Sequence, residues 1–233
     1  MKRAGLIILL IYICAHAHAQ IGEPRRDFAI GGGGGVALNM VSFRPGVKQN
    51  YHVGPTFGVT GRYTCEKYFS MICALQVEAN YTMLGWNEDI ETSTDTYQRH
   101  LHYIQIPFLA NLGIGREQKG FKGYFIGGPQ IGFCFADSEE RGGEWSEQTL
   151  HLRPSQVTQQ YGRSVENKFD YGITAGLGAE FSLKGGIHMM VEGRYYFALG
   201  DIFGNSKRDP FARSANGTLF VKAALLFDIV KTK

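Results

Sequence analysis

Between residues 169 and 198 the chain alternates. Phe169, Tyr171, Ile173, Ala175, Leu177, Ala179 and Phe181 fall on one face, and Asp170, Gly172, Thr174, Gly176, Gly178, Glu180 and Ser182 on the other. After Lys184-Gly185-Gly186 the pattern resumes, with Ile187, Met189, Val191, Gly193, Tyr195 and Phe197 set against His188, Met190, Glu192, Arg194 and Tyr196. Successive side chains of a strand point to opposite faces, so this stretch predicts two antiparallel strands joined by a tight turn. Both exceed the roughly 5–6 residues usual in soluble sandwiches. Their apolar faces carry aromatics at each end, which suits tilted strands crossing a bilayer.

Six further stretches follow the same pattern: 27–39, 52–63, 68–85, 99–114, 121–135 and 215–230. The connections 64–67, 115–120 and 184–186 are short and polar, whereas 40–51, 86–98, 136–166 and 201–214 are long. Short and long therefore alternate, as they do in an outer-membrane barrel with periplasmic turns, outer loops and both termini periplasmic. The expected fold is all-β: an eight-stranded antiparallel up-and-down transmembrane β-barrel. Closure satisfies every backbone group, so such a chain spans a membrane without a long apolar helix. Pro107, inside a strand, removes a ladder donor and predicts a bulge or local break. The run Gly31–Gly35 lacks the Lys-Ser/Thr and the helix of a phosphate loop; glycines there read as close strand packing instead.

The first 19 residues read as a secretory signal: basic Lys2-Arg3, an apolar core from Leu6 to Ile13, and the small-residue site Ala17-His18-Ala19. That divides the chain into a signal, 1–19, and a barrel domain, 20–233. Removing Lys2 and Arg3 lowers the formal net charge from +3 to +1, so nothing points to nucleic acid. Cys65, Cys73 and Cys134 lie far apart with no metal-type spacing, and neither cofactor nor metal is expected. Outer-membrane lipid is the implied surrounding partner; an extracellular or envelope protein partner and the oligomeric state stay open.

With the apolar face toward lipid, the lumen receives Arg62, Lys122, Arg194 and Lys222 alongside Glu78, Glu180, Glu192 and Asp228. Gln76, Asn80, Gln105, Asn111, Gln130 and Thr174 join them. An eight-stranded barrel is only wide enough to be filled by its own side chains. Buried charges persist when paired, so the expectation is a mutually neutralising plug, with a narrow channel as the competing reading. The pair His100-x-His102 would share one face near the outer end of its strand, with His52 at a similar height. Such histidines could chelate a metal or hydrolyse a lipid ester, although no third ligand or nucleophile is apparent from spacing.

The chain resembles the small outer-membrane β-barrel proteins of Bacteroidetes, the porin-family or PorT-like barrels. The resemblance rests on Ala17-His18-Ala19 before Gln20, the stretch Tyr103-Ile104-Gln105-Ile106-Pro107-Phe108, Gly127-Gly128-Pro129, and Gly176-Leu177-Gly178-Ala179-Glu180. It implies an integral protein of the bacterial outer membrane, and some relatives serve type IX secretion. The C-terminus departs from the usual pattern by ending Lys231-Thr232-Lys233 instead of on an aromatic. The functional expectation is a non-enzymatic barrel whose extracellular loops serve binding, adhesion or envelope support. A lipid-modifying enzyme using His100 and His102, and a channel through the charged lumen, are the alternatives. A soluble lipocalin-like barrel would require the apolar face to turn inward.

Overall fold

The computed structural model describes residues 23–90, 94–116, 120–143, 150 and 157–231. The expected signal, 1–19, lies outside the described residues. Nine strands follow one another: β1 (Glu23–Arg44), β2 (Gln49–Asn50), β3 (His52–Tyr68), β4 (Met71–Glu88), β5 (Thr96–Gly115), β6 (Gly120–Gly142), β7 (Phe169–Ser182), β8 (Ile187–Ala198) and β9 (Arg213–Val230). Long neighbouring strands pair antiparallel, β1 pairs with β9, and the β4–β5 ladder completes the ring. The wall is therefore eight-stranded and up-and-down, with no free sheet edge to expose unpaired backbone groups. The two-residue β2 is an addition, paired to the outer end of β4 through Gln49↔Glu88 and Asn50↔Asn87.

The apolar face of the alternation is the outer face. Phe57, Val77, Phe125, Ile173, Leu177, Val191 and Leu225 are exposed, while Arg62, Glu78, Lys122, Glu180 and Arg194 are buried inside. An inside-out, lipocalin-like arrangement is thereby ruled out. Aromatics ring the wall at two heights. Phe133, Phe169, Tyr171, Tyr195 and Phe197 mark the upper level; Phe28, Tyr63, Phe121, Phe181 and Phe227 mark the lower. From Phe169 to Phe181 a tilted strand climbs about 30 Å, close to the apolar band of outer-membrane barrels.

Several boundaries differ from the sequence pattern, each for a local reason. The turn expected at 64–67 is strand, and the connection is Phe69-Ser70, with Phe69 at φ 52°. The register slips between Thr64 and Glu66, and that bulge erases the alternation that would have revealed the strand. β1 runs on to Arg44, paired as far as Arg213 of β9, so most of the loop expected at 40–51 is wall. β5 and β6 extend outward together until Thr96 faces Gly142, which shortens the long loop expected at 136–166. At Pro107 the β4–β5 ladder is interrupted between Phe108 and Gln105 and then resumes in the same register, a local break without a bulge.

The glycine run pairs with residues 222–226 of β9. A Cβ at Gly31 would lie 1.8 Å from the Leu225 carbonyl oxygen, and one at Gly35 would lie 2.0 Å from that of Val221. Only glycine fits against the neighbouring backbone at that spacing.

Candidate functional site: the lumen and its outer cap

The barrel gathers side chains from far-apart parts of the chain into layers. Lowest is a cluster on Glu180 of β7. Arg62 of β3 forks onto its carboxylate, one of the two contacts being 3.2 Å, from Nη2 to Oε1. Lys122 of β6 approaches to 3.0 Å, and His188 Nδ1 also lies 3.0 Å away. His188 Nε2 reaches Asp228 Oδ1 at 2.9 Å, and Lys231 lies 3.4 Å from the other Asp228 oxygen. Asp228 thus sits half-buried at the rim nearest the short turns, below the fully enclosed charges.

The middle layer centres on Glu78 of β4. Its Oε2 accepts from Arg194 at 2.9 Å, Lys222 at 2.7 Å and Asn80 at 2.8 Å, while its Oε1 accepts from Gln76 at 2.7 Å. Glu192 accepts from Tyr124 at 2.7 Å and lies 3.1 Å from Arg194. Every charge in these two layers has an opposite partner, which is what burial requires. Just above, the Thr174 hydroxyl donates to Gln130 at 2.7 Å, and Thr56 and Thr82 share a hydrogen bond. The space among Thr56, Asn80, Gln130 and Lys222 is only ≈ 10 Å³, about one water molecule.

Higher still, Thr218 and Asn216 bond to Asn39, and Asn216 donates onward to Asp170. Above this polar layer the lumen turns apolar. Phe43, Leu84, Trp86, Tyr97, Leu101 and Phe220 from the wall enclose Ile202, Phe203 and Phe211 from the β8–β9 connection, together with Val157 and Val165. Phe203 and Phe211 are fully buried, stack on each other at 5.6 Å and pack against Phe43. The sequence signalled none of this: two or three apolar residues scattered in polar loops have no periodicity to detect.

The outer connections are fastened by charge. Arg99 bridges Asp137 and Glu139 and donates to the Arg163 carbonyl; Gly162 N donates to Glu139 at 2.7 Å. Glu88 accepts from Gln160 at 2.8 Å and from the Tyr161 hydroxyl at 2.6 Å. Arg163 bonds Glu166, reaches Asp209 at 3.4 Å and lies over the Phe203 ring. The Ser206 hydroxyl and amide both donate to Asp209 and, with Arg163, hold its carboxyl below the ordinary carboxylate range.

The histidines divide. His52 Nε2 and His100 Nδ1 lie 2.8 Å apart, meeting where Gly85 has no side chain to separate them. His100 Nε2 is 3.5 Å from Glu140, whereas His102 Nδ1 is 2.7 Å from the Tyr81 hydroxyl. His100 and His102 therefore take separate partners. Among the described residues no group of three or more His, Cys, Asp or Glu side chains is arranged to hold a metal ion.

Residues 18–204 match the model of a family described as the outer membrane protein beta-barrel domain. Solved structures similar to the chain include Ail, the attachment invasion locus protein of Yersinia pestis, at 12% identity over 88% of this chain and 99% of Ail, TM-score 0.39. OprG from Pseudomonas aeruginosa is similar at 11% identity over 89% and 98%, TM-score 0.43. The outer membrane enzyme PagL is similar at 11% over 84% and 97%, TM-score 0.39. No curated protein matches.

Proposed function

Because the chain belongs to the outer membrane protein β-barrel family, and so to the bacterial outer membrane, we propose that it acts there without catalysis, through its outer surface. The observation that carries this reading is the closed lumen. Two layers of paired charge and an apolar plug built partly from the outer connections fill the barrel. Among the described residues, the outer connections that would gate a pore are instead spent on packing, on the ion pairs of Arg99 and Arg163, and on the hydrogen bonds to Glu88. Among the described residues, Asn205 to Arg208 stay exposed above this packing and form a platform suited to binding, adhesion or envelope support. An extracellular or envelope protein is the partner class that fits it. Within the family, the stretches at 103–108, 127–129 and 176–180 support a place among the porin-family, PorT-like barrels of Bacteroidetes, with export by the signal 1–19.

The enzymatic reading would need an activated nucleophile beside His100 or His102. His100 instead meets His52, with the exposed Glu140 3.5 Å from its other nitrogen, and His102 meets the Tyr81 hydroxyl. The test compares cells carrying the parent, H100A/H102A, and a variant with Asn205–Arg208 replaced by Gly and Ser. Lipid mass spectra should be identical in all three, while surface attachment or detergent tolerance should change only in the platform variant. An altered lipid profile in H100A/H102A, with the barrel still folded, would overturn the proposal.

A further inference from the structure

The outward row on β9 becomes small near its extracellular end. Leu219 is followed by Gly217 and Ala215, and the outward positions of β1 opposite them are Leu38, Met40 and Ser42. Tyr195 and Phe197 of β8 rise on the other flank, paired with Leu219 and Gly217. The large side chains therefore border a trough floored by small ones. It has a volume of ≈ 520 Å³ and Tyr51 at its upper edge. A Cβ at Gly217 would lie 2.8 Å from the Tyr195 hydroxyl, so glycine keeps the floor low.

Cations crown this trough. Arg44 and Arg213 are direct cross-strand partners, both outward. Like charges placed opposite each other on a sheet repel, and neither arginine forms an ion pair with an acidic side chain among the described residues. The Arg213 guanidinium lies 5.3 Å over the Phe197 ring, yet its Nε is buried without a hydrogen-bond partner. Both arginines line a second hollow of ≈ 270 Å³ directly above, shared with Leu199 and Asp201. Asp201 is committed elsewhere, accepting from the Ser214 amide and from Asn205 at 2.9 Å. Phe197 belongs to the upper aromatic level, so the arginines stand at headgroup height on the outer-leaflet side.

We propose that this face of β8, β9 and β1 seats a phosphorylated lipid of the outer leaflet, one acyl chain in the trough and a phosphate between Arg44 and Arg213. A phosphate supplies the missing acceptors and cancels the repulsion between the two guanidiniums. An extended hydrocarbon chain matches the apolar, lipid-exposed trough. The site lies outside the lumen and is independent of the platform function.

The test is native mass spectrometry of the folded, delipidated barrel titrated with lipid A and with its phosphate-free counterpart. The parent should retain lipid A at about tenfold lower concentration, the difference a charge-assisted bidentate contact confers. R44Q/R213Q should erase that preference, and G217L should weaken retention of both lipids. S42L, at an exposed position, fills the same trough if G217L fails to fold. Heat-dependent gel mobility checks folding of each variant. Equal retention of both lipids by the parent, or an unchanged preference in R44Q/R213Q, would overturn the proposal.

Discussion

Glu78 shows how much one buried side chain can hold. It accepts from Arg194, Lys222, Asn80 and Gln76, groups carried by three different strands. Removing its charge strands Lys222 beside a space for about one water molecule and leaves Arg194 with Glu192 alone. Glu78→Gln should therefore lower unfolding stability by about 3–5 kcal/mol, the cost of breaking a buried pair from one side. Adding Lys222→Met should recover part of the loss, because the orphaned charge leaves too. Urea titrations of the barrel in lipid vesicles would measure both. Equal midpoints for parent and Glu78→Gln would mean that the network contributes nothing. Parity along the strands put each of these charges inside, but their partners lie more than a hundred residues apart, as with Arg62 and Glu180, and no local pattern pairs them.

At the scale of elements, the connection between β8 and β9 behaves as a stopper. Phe203 and Phe211 enter the outer lumen from a segment whose Lys207 and Arg208 stay exposed. Its docking depends on burying those rings, so F203A/F211A should release it, each truncation forfeiting about 3 kcal/mol or more of packing. Limited trypsin digestion should then cut at Lys207 and Arg208 at least several-fold faster than in the parent, while the wall strands stay protected. Unchanged cleavage would show that polar contacts such as Asn167 to the Asp201 and Phe203 carbonyls hold the segment alone. The long strands were legible from alternation, whereas their ends were not. The bulge at Thr64–Glu66 hid one end, and the outward run of β5 with β6 is polar on both faces and reads as loop.

For the whole molecule, three stacked fillings close the tube: the Glu180 layer, the Glu78 layer and the apolar stopper. In planar bilayers the folded protein should give no discrete conductance steps. Steps that vanish on unfolding the protein would reverse this and revive the channel. The inside-to-outside arrangement also fixes topology. Protease added to intact cells should reach the outer connection at 205–208 but neither Phe69-Ser70 nor Lys184-Gly185-Gly186.

The sequence by itself determined which face of every long strand meets lipid, how many strands make the wall, and which charges turn inward. A period of two, repeated in eight segments with alternating short and long links, needs no knowledge of distant contacts. Only the tertiary structure decided which charges pair, that loop aromatics stopper the outer mouth, that His52 meets His100 over Gly85, and that Arg44 stands opposite Arg213. Each of these depends on cross-strand register or on loop docking. Both are set when the ring closes and brings β1 against β9, residues almost two hundred positions apart.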